Sequence, residues 1–314
     1  MTQIRQNNIA ITSPVSSTVN PVFARHETFH PRFGWLRKGF DAATGDRGIF
    51  LREDATVRLG VGKNMVNAIR YWCNAFKVLT DDVPSDLGDR LYRDDGWDPF
   101  TEDPATLWLL HWNLLKPPCH ATAWHFTFNV FRSLEFSQDE LFKALCNHRD
   151  SVAHRIAESS VKKDVSCILR MYVEQETHKT GVSEDSLDCP FSELGIIHTA
   201  GDSRHYTFRV GSKRNLPAEI VVSACLEYAS WVGRGQRTIG ISRLLYDIGS
   251  PGTIFKLTET AVCDAIEKVQ RKFKSIELSD SAGLIQLSFN SDPEKLAEDL
   301  LNRYYQGRRG ETQQ

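Results

Sequence analysis

The chain has 314 residues, a formal net charge of −2, 41% hydrophobic residues and 25% charged residues. This composition is ordinary for a globular protein, and the length favours two or three domains over a single core. No apolar run is long enough to cross a membrane, and the polar first 22 residues lack the apolar core of a secretion signal, so we expect a flexible tail on a cytoplasmic protein. Seven dispersed cysteines without a CxxC pair argue against a zinc finger or a disulfide framework.

The net charge conceals a block pattern. Residues 23–79 carry ten lysines and arginines against five aspartates and glutamates, residues 80–104 carry two against nine, and residues 201–274 carry twelve against seven. Two basic blocks separated by an acidic stretch favour a nucleic-acid partner, here double-stranded DNA. Ordinary scatter of charge is the alternative explanation.

The first motif along the chain is H-E-x-x-H at residues 26–30. In zinc proteases this string lies on a helix, where both histidines bind the metal and the glutamate is the general base. Pro31 disfavours a helical conformation at His30 and blocks a helix that continues through it. We therefore predict that no protease-type zinc is held here. A different hydrolytic metal site, or hydrogen bonds within a turn, are the alternatives.

The clearest structural signal is a helix-turn-helix in residues 50–76. A short helix fits Arg52 to Leu59, Gly60 supplies a left-handed residue to end it, and a second helix fits Lys63 to about Val78. Apolar residues recur at helical spacing in the second helix and predict a buried stripe. The alternative is a helical hairpin packed in a core with its polar side in water.

The opposite face of this second helix predicts DNA contact. Its polar residues follow steps of four and three, and Lys, Asn and Arg suit phosphates, adenine and guanine respectively. The predicted DNA-binding residues, including neighbours in the same basic block, are Arg32, Arg37, Lys38, Lys63, Asn64, Asn67, Arg70, Asn74 and Lys77. Because Arg70 lies opposite the apolar stripe, Arg70→Ala is expected to impair DNA binding while leaving thermal stability nearly unchanged.

The rest of the chain predicts a mainly α fold with small β-hairpins, built from helix-turn-helix and winged-helix units. The aromatic-rich residues 100–131 suggest a helical core, and Ser137 with Glu140 forms a capping box. Further helices are predicted at residues 151–173, 215–231, 242–248 and 258–273, and hairpins at residues 196–210 and 275–289. We divide the chain into a tail (1–22), an N-terminal helical domain with the helix-turn-helix (23–135), a helical, winged-helix-like middle domain (136–235) and a C-terminal winged-helix-like domain (236–314).

Several longer segments resemble a bacterial family associated with DNA phosphorothioation. They are "HETF", "RFGWLRKGFDAA", "FLREDATVRLGVGKNMVNAIRYW", "DCPFSELG", "GSPGTIFKL" and "DSAGLIQL". The likeness runs from about residue 23 to residue 290, although His30 stands where the family pattern has proline after "HETF". The resemblance implies an anti-phage defence subunit that binds DNA and cuts one strand, together with a cysteine desulfurase and ATP-using subunits. It carries over no catalytic residue.

Two functional hypotheses follow. The first is a DNA-nicking endonuclease that uses Mg²⁺ or Mn²⁺, with carboxylates or histidines that hold the metal and activate water. Candidates near the basic block are His26, Glu27, Asp41, Glu53 and Asp54, of which we predict His26, Glu27, Glu53 and Asp54 as catalytic, with no metal ligands assigned. The second is a non-catalytic helix-turn-helix adaptor or transcriptional regulator, for which acidic residues in a first helical turn only complement the helix dipole. Either protein could act as a homodimer.

Overall fold

The computed structural model describes residues 20–153, 155–174, 189–201, 204–233, 235–281 and 283–312. Over these residues the chain is mainly helical with three small antiparallel sheets, so the predicted secondary-structure class is confirmed. The predicted tail mostly precedes this region. Within the described residues, each helix is too short or too polar to cross a bilayer.

The first region is a group of helices followed by a two-stranded hairpin. Its elements are α1 (Trp35–Gly45), a 3₁₀ turn (Ile49–Leu51), α2 (Ala55–Leu59), α3 (Lys63–Ala75), β1 (Leu79–Thr80), β2 (Val83–Pro84) and α4 (Asp86–Tyr92). Gly60 ends α2 at φ 65°, as predicted, but α2 begins three residues later than the sequence suggested. The predicted stripe of α3 is buried, and α1 crosses it at Gly39, where a Cβ would collide with the Cys73 side chain.

Helix α3 also ends earlier than predicted. Lys77 adopts a left-handed conformation, φ 60°, and the Val78 amide donates to the carbonyl of Cys73. This hydrogen bond closes a helix end that normally uses glycine, and it turns the chain into β1.

The second region contains most of the aromatic core. Its elements are α5 (Pro104–Leu115), α6 (Thr122–His125) with a π-helical continuation (Phe126–Val130), β3 (Glu135–Ser137), α7 (Gln138–Val152), α8 (Glu158–Tyr172), a 3₁₀ turn (Pro190–Leu194), β4 (Ile197–Thr199) and β5 (His205–Phe208). The predicted helical core and the Ser137 capping box are confirmed. The single helix predicted for residues 151–173 is wrong, because the chain leaves the helical conformation at Ala153 and α8 starts only at Glu158.

The third region repeats the order of the second. Its elements are α9 (Ala218–Gly233), β6 (Thr238–Gly240), α10 (Ile241–Tyr246), α11 (Pro251–Phe255), α12 (Glu259–Gln270), β7 (Ile276–Ser281), β8 (Leu284–Phe289) and α13 (Pro293–Thr312). The sheet order is β6-β8-β7 here and β3-β5-β4 in the second region, antiparallel throughout. Helix α9 packs against α12 and α13.

The three regions share one continuous hydrophobic core that extends from Phe23 to Tyr305. Trp112 of α5 stacks on Trp231 of α9, with ring centroids 5.7 Å apart. Five of the seven cysteines are buried in this core and all seven are free thiols. The proposed domain boundaries fall within β3 and between α9 and β6, and they stay a prediction.

Candidate functional site

A large cleft of about 1490 Å³ runs along the polar side of α3. Its other walls are the turn around Glu27, the β1–β2 hairpin with the start of α4, and the connection after α5. The charged side chains of its lining balance, with four cations and four anions: Arg25, Arg70, Lys77 and Lys116 against Glu27, Asp81, Asp82 and Asp86. The cleft is therefore a polar site of mixed charge.

Backbone strain concentrates at the same cleft. Eight non-glycine residues among the described residues have positive φ, and four of them line the cleft: Glu27, Lys77, Asp81 and Asp82. Left-handed conformations cost free energy in residues that carry a Cβ, and such costs cluster at functional sites. Asp81 and Asp82 form the turn between β1 and β2, a position that usually takes Asn-Gly.

The predicted DNA-reading face of α3 divides into two halves. In the second half, the Arg70 guanidinium lies 2.6 Å from the Asp82 carboxylate, and the Asn74 amide donates to the same carboxylate at 2.9 Å. The Asn74 carbonyl oxygen in turn accepts from the Asp82 backbone amide at 3.1 Å. The hairpin therefore holds both side chains inside the protein's own hydrogen-bond network.

Lys77, the last residue predicted on this face, is also held by the protein. Its amine donates to the carbonyl oxygens of Asn113 and Lys116. Burial lowers the pKa of Lys77 to about 8. In this conformation Lys77 ties α3 to the end of α5 and does not face outward.

The first half of the α3 face is exposed. Lys63, Asn64 and Asn67 all lie open to solvent at the start of the helix. Asn67 is 3.5 Å from the Glu27 carboxylate, which joins this half to the turn that carries the H-E-x-x-H string. In helix-turn-helix proteins, the first residues of the second helix contact base edges.

The H-E-x-x-H string forms a turn. Glu27 and Thr28 have φ values of 51° and 70°, and the Phe29 amide donates to the His26 carbonyl. The helix that a zinc protease needs is thus replaced by a turn, as Pro31 predicted. The Glu27 side chain is exposed at the cleft.

His26 lies in the core, with no exposed surface. Its Nε2 is 2.8 Å from the carboxylate of Asp164 in α8, and its ring packs against Trp72 and Trp124. Burial raises the pKa of Asp164, and the hydrogen bond to His26 opposes that shift. This pair joins the N-terminal turn to α8, so its position favours a structural role over the predicted catalytic one.

The other two predicted catalytic residues lie at the start of α2. Asp54 pairs with Arg52 at 2.9 Å and with Arg58 at 2.7 Å, and these hydrogen bonds, led by Arg58, lower the pKa of Asp54 to about 2. Glu53 is exposed beside it. Among the described residues that line the cleft, neither Glu53 nor Asp54 appears. The four predicted catalytic residues therefore do not form one cluster.

Three residues before α3 were also predicted to contact DNA: Arg32, Arg37 and Lys38. Arg37 pairs with Asp41 at 2.7 Å and with Asp94 at 2.9 Å, and Lys38 donates to the carbonyl at the end of α2. Arg32 lies over the rings of Phe29 and Trp35. These contacts give each side chain an intramolecular partner, and their DNA contacts stay a prediction.

The acidic wall of the cleft was not predicted from the sequence. Asp81, Asp82 and Asp86 belong to the acidic stretch 80–104, whose charge was apparent but whose position opposite α3 was not. His120 lines the same cleft, and burial lowers its pKa. Across the described residues, histidine, cysteine and carboxylate side chains form no group of three placed to hold a metal ion.

Comparison with known proteins assigns the family. Residues 23–305 match the family model described as "Protein of unknown function (DUF4007)", and the chain belongs to this family. The structure is also similar to a crystal structure of SspB, with 37% identity, a TM-score of 0.85 and coverage of 93% of this chain and 90% of that chain. A magnesium ion-bound crystal structure of SspB gives 36% identity, a TM-score of 0.86 and the same coverage. No curated protein sequence matches the chain.

Proposed function

We propose that the protein is the DNA-binding subunit of a DNA phosphorothioation system, and that it nicks one strand of duplex DNA with Mg²⁺ as cofactor. The observation that carries this proposal is the likeness to SspB over 93% of the chain. The sequence segments that resemble a phosphorothioation-associated family lie in the same span. In such a system the protein acts with a cysteine desulfurase and ATP-using subunits.

The exposed first half of α3 is the part of the site that suits DNA. Lys63 is placed to neutralise a phosphate, and Asn64 and Asn67 can hydrogen-bond base edges, asparagine pairing with adenine. In this proposal α2 and α3 form the helix-turn-helix, with the start of α3 at the DNA. The Arg70, Asn74 and Lys77 side chains stabilise the site through hydrogen bonds within the protein.

The cleft beside α3 is the proposed place of strand cleavage. Mg²⁺ commonly binds one or two carboxylates and completes its coordination with water and substrate phosphate, so it needs no group of three protein ligands. The exposed carboxylates of Glu27, Asp81 and Asp86 fit that requirement, and a bound Mg²⁺ would stabilise the negative charge of the phosphate. Arg25 in the same lining would position the DNA backbone, whereas Lys116 is paired with Glu227 at 2.8 Å. Manganese is the alternative ion.

The test is the conversion of supercoiled plasmid to open circle by the purified protein. We expect nicking with Mg²⁺ and its loss with EDTA. We also expect a loss of at least about tenfold in rate for Asp81→Asn and for Glu27→Gln, because changing even the outer-shell groups of a metal site commonly costs about 10–100-fold. Asparagine tolerates the left-handed conformation of Asp81, so the turn should remain intact. The matched control is Glu277→Gln, which removes an exposed charge on β7. Wild-type protein that leaves the plasmid supercoiled with either metal would contradict the nickase proposal.

A non-catalytic DNA-binding adaptor is the second candidate. It is favoured by the exposed residues at the start of α3, which suffice for binding without chemistry. This protein would bind duplex DNA with a steep salt dependence and leave the plasmid intact. Binding and nicking measured on the same preparation therefore separate the two functions.

A further inference from the structure

The second and third regions have the same order of strands and helices, and each has a helix before its hairpin. In each, a strand is followed by helices and then by a hairpin whose last strand pairs with the first strand. This is the connectivity of a winged helix, in which the helix just before the hairpin is the usual recognition helix and the hairpin is the wing. Helix α8 and the β4–β5 hairpin hold these positions in the second region, and α12 and the β7–β8 hairpin hold them in the third.

The exposed faces of these two helices have opposite charge. On α8, Lys162, Lys163 and Arg170 are exposed, with Ser159 between them and the start of the helix. The one exposed anion of α8, Glu158, lies 4.0 Å from Arg149 of α7. On α12, the exposed charged residues are Glu259, Asp264 and Glu267, with Lys268 as the cation.

The two hairpins differ in charge in the same way as the two helices. The β4–β5 hairpin carries Arg204 and Arg209 directly on either side of β5, both exposed. The β7–β8 hairpin instead presents Glu277 and Asp280. The exposed helix face and the hairpin therefore carry charge of the same sign within each region, positive in the second and negative in the third.

We infer that the exposed face of α8 and the β4–β5 hairpin form a second contact surface for duplex DNA, separate from the start of α3. Within the described residues, Lys162, Lys163 and Arg170 form no ion pair. Asp139 and Glu158 line the same pocket as Lys162, so Lys163 and Arg170 are the cations most available to phosphates. The buried side of α8 is fixed to the turn beside α3 through Asp164 and His26, 2.8 Å apart. This contact connects the two proposed DNA surfaces through the interior of the protein. The exposed face of α12 with Glu259, Asp264 and Glu267 repels the DNA backbone, so this face is not part of the proposed surface.

This inference rests on the proposed DNA binding, and the test separates the two. The variant is Lys162→Gln, Lys163→Gln and Arg170→Gln together, which keeps helix-forming side chains of similar length. The matched control is Lys268→Gln, Arg271→Gln and Lys272→Gln, which removes the same charge from exposed positions at the end of α12 and just beyond it. The probe is a labelled duplex of roughly 30 base pairs, about three helical turns.

The readout is the slope of the logarithm of affinity against the logarithm of salt concentration. Each phosphate contact contributes about −0.9, so the α8 variant should lose up to about 2.7 from the slope, while the α12 control keeps the wild-type slope. Both proteins should unfold at the wild-type temperature. Equal slopes for wild type and the α8 variant, or an equal loss in the control, would overturn the inference and leave α3 as the DNA surface. Wild-type protein that fails to bind at low salt would overturn the proposed function itself.

Discussion

The two halves of α3 have the same polar sequence pattern and opposite roles in the structure. Lys63, Asn64 and Asn67 are exposed, whereas Arg70 and the residues after it are held by the β1–β2 hairpin and by backbone carbonyls. A helical periodicity identifies a face, but it does not say what lies opposite that face. Whether a polar side chain of α3 is available to DNA therefore depends on its contacts within the protein and not on its residue type.

The largest expected effect is on the free energy of unfolding, which should depend on pH through Lys77 in the buried half of α3. The pKa of Lys77 falls from 10.5 to about 8 on folding because burial disfavours its charge. Between these values the unfolded chain holds a proton that the folded chain has released, so the free energy of unfolding rises with pH. We expect the difference between wild type and Lys77→Met to shift in favour of wild type by roughly 3 kcal/mol between pH 7 and pH 10.5.

Denaturant unfolding over this pH range measures that difference. Lys63→Met is the control, because it removes the same charge from the exposed half of the helix. Its difference from wild type should stay nearly constant with pH. A constant difference for Lys77→Met as well would show that the two halves do not differ in burial as the structure indicates.

The second prediction concerns the acidic partner of the buried half. Asp82→Asn weakens the pair with Arg70 and the hydrogen bond from Asn74, and should lower the free energy of unfolding by about 1–2 kcal/mol. Asp81→Asn, the neighbouring exposed residue of the same turn, should change it by less than about 0.5 kcal/mol. Urea midpoints of the two variants make the comparison. Equal midpoints would mean that the hairpin does not hold α3.

The third prediction replaces the earlier expectation for Arg70. The Arg70 side chain is 39% exposed, so solvent screens its ion pair with Asp82 and weakens it. Arg70→Ala should therefore lower the free energy of unfolding by only about 1 kcal/mol. Affinity for duplex DNA should remain near the wild-type value. Asn67→Ala should show the reverse, with unchanged melting and weaker binding. If Arg70→Ala melts normally and loses DNA binding, the division of α3 into two halves is incorrect.

The smallest expected effect comes from one exposed cation. Lys63→Gln should reduce the slope of log affinity against log salt by about 0.9 and leave unfolding unchanged, because one phosphate contact is lost. Titrations of duplex DNA at several salt concentrations give the slope. An unchanged slope would remove Lys63 from the interface and would favour α8 as the main contact.

Local sequence signals correctly predicted much of the fold. The Ser137 capping box, the left-handed Gly60 and the apolar stripe of α3 all appear as expected, because each depends on neighbours within a few residues. That no helix continues past His30 was predictable for the same reason, since Pro31 acts on the residue before it. The break between α7 and α8 was predicted too early, before Ser151, because helix-compatible residues continue to the start of α8 at Glu158.

The positions of the candidate site residues depended on contacts between distant parts of the chain. His26 meets a carboxylate 138 residues further along the chain, and Arg70 meets an aspartate across a hairpin whose turn is left-handed at both central residues. Residue order alone was enough to locate the basic and acidic blocks and the helical faces, and to predict that no helix continues through Pro31. Which charges face solvent and which are neutralised could not be read from residue order, because burial and ion pairing arise when segments far apart in sequence pack together.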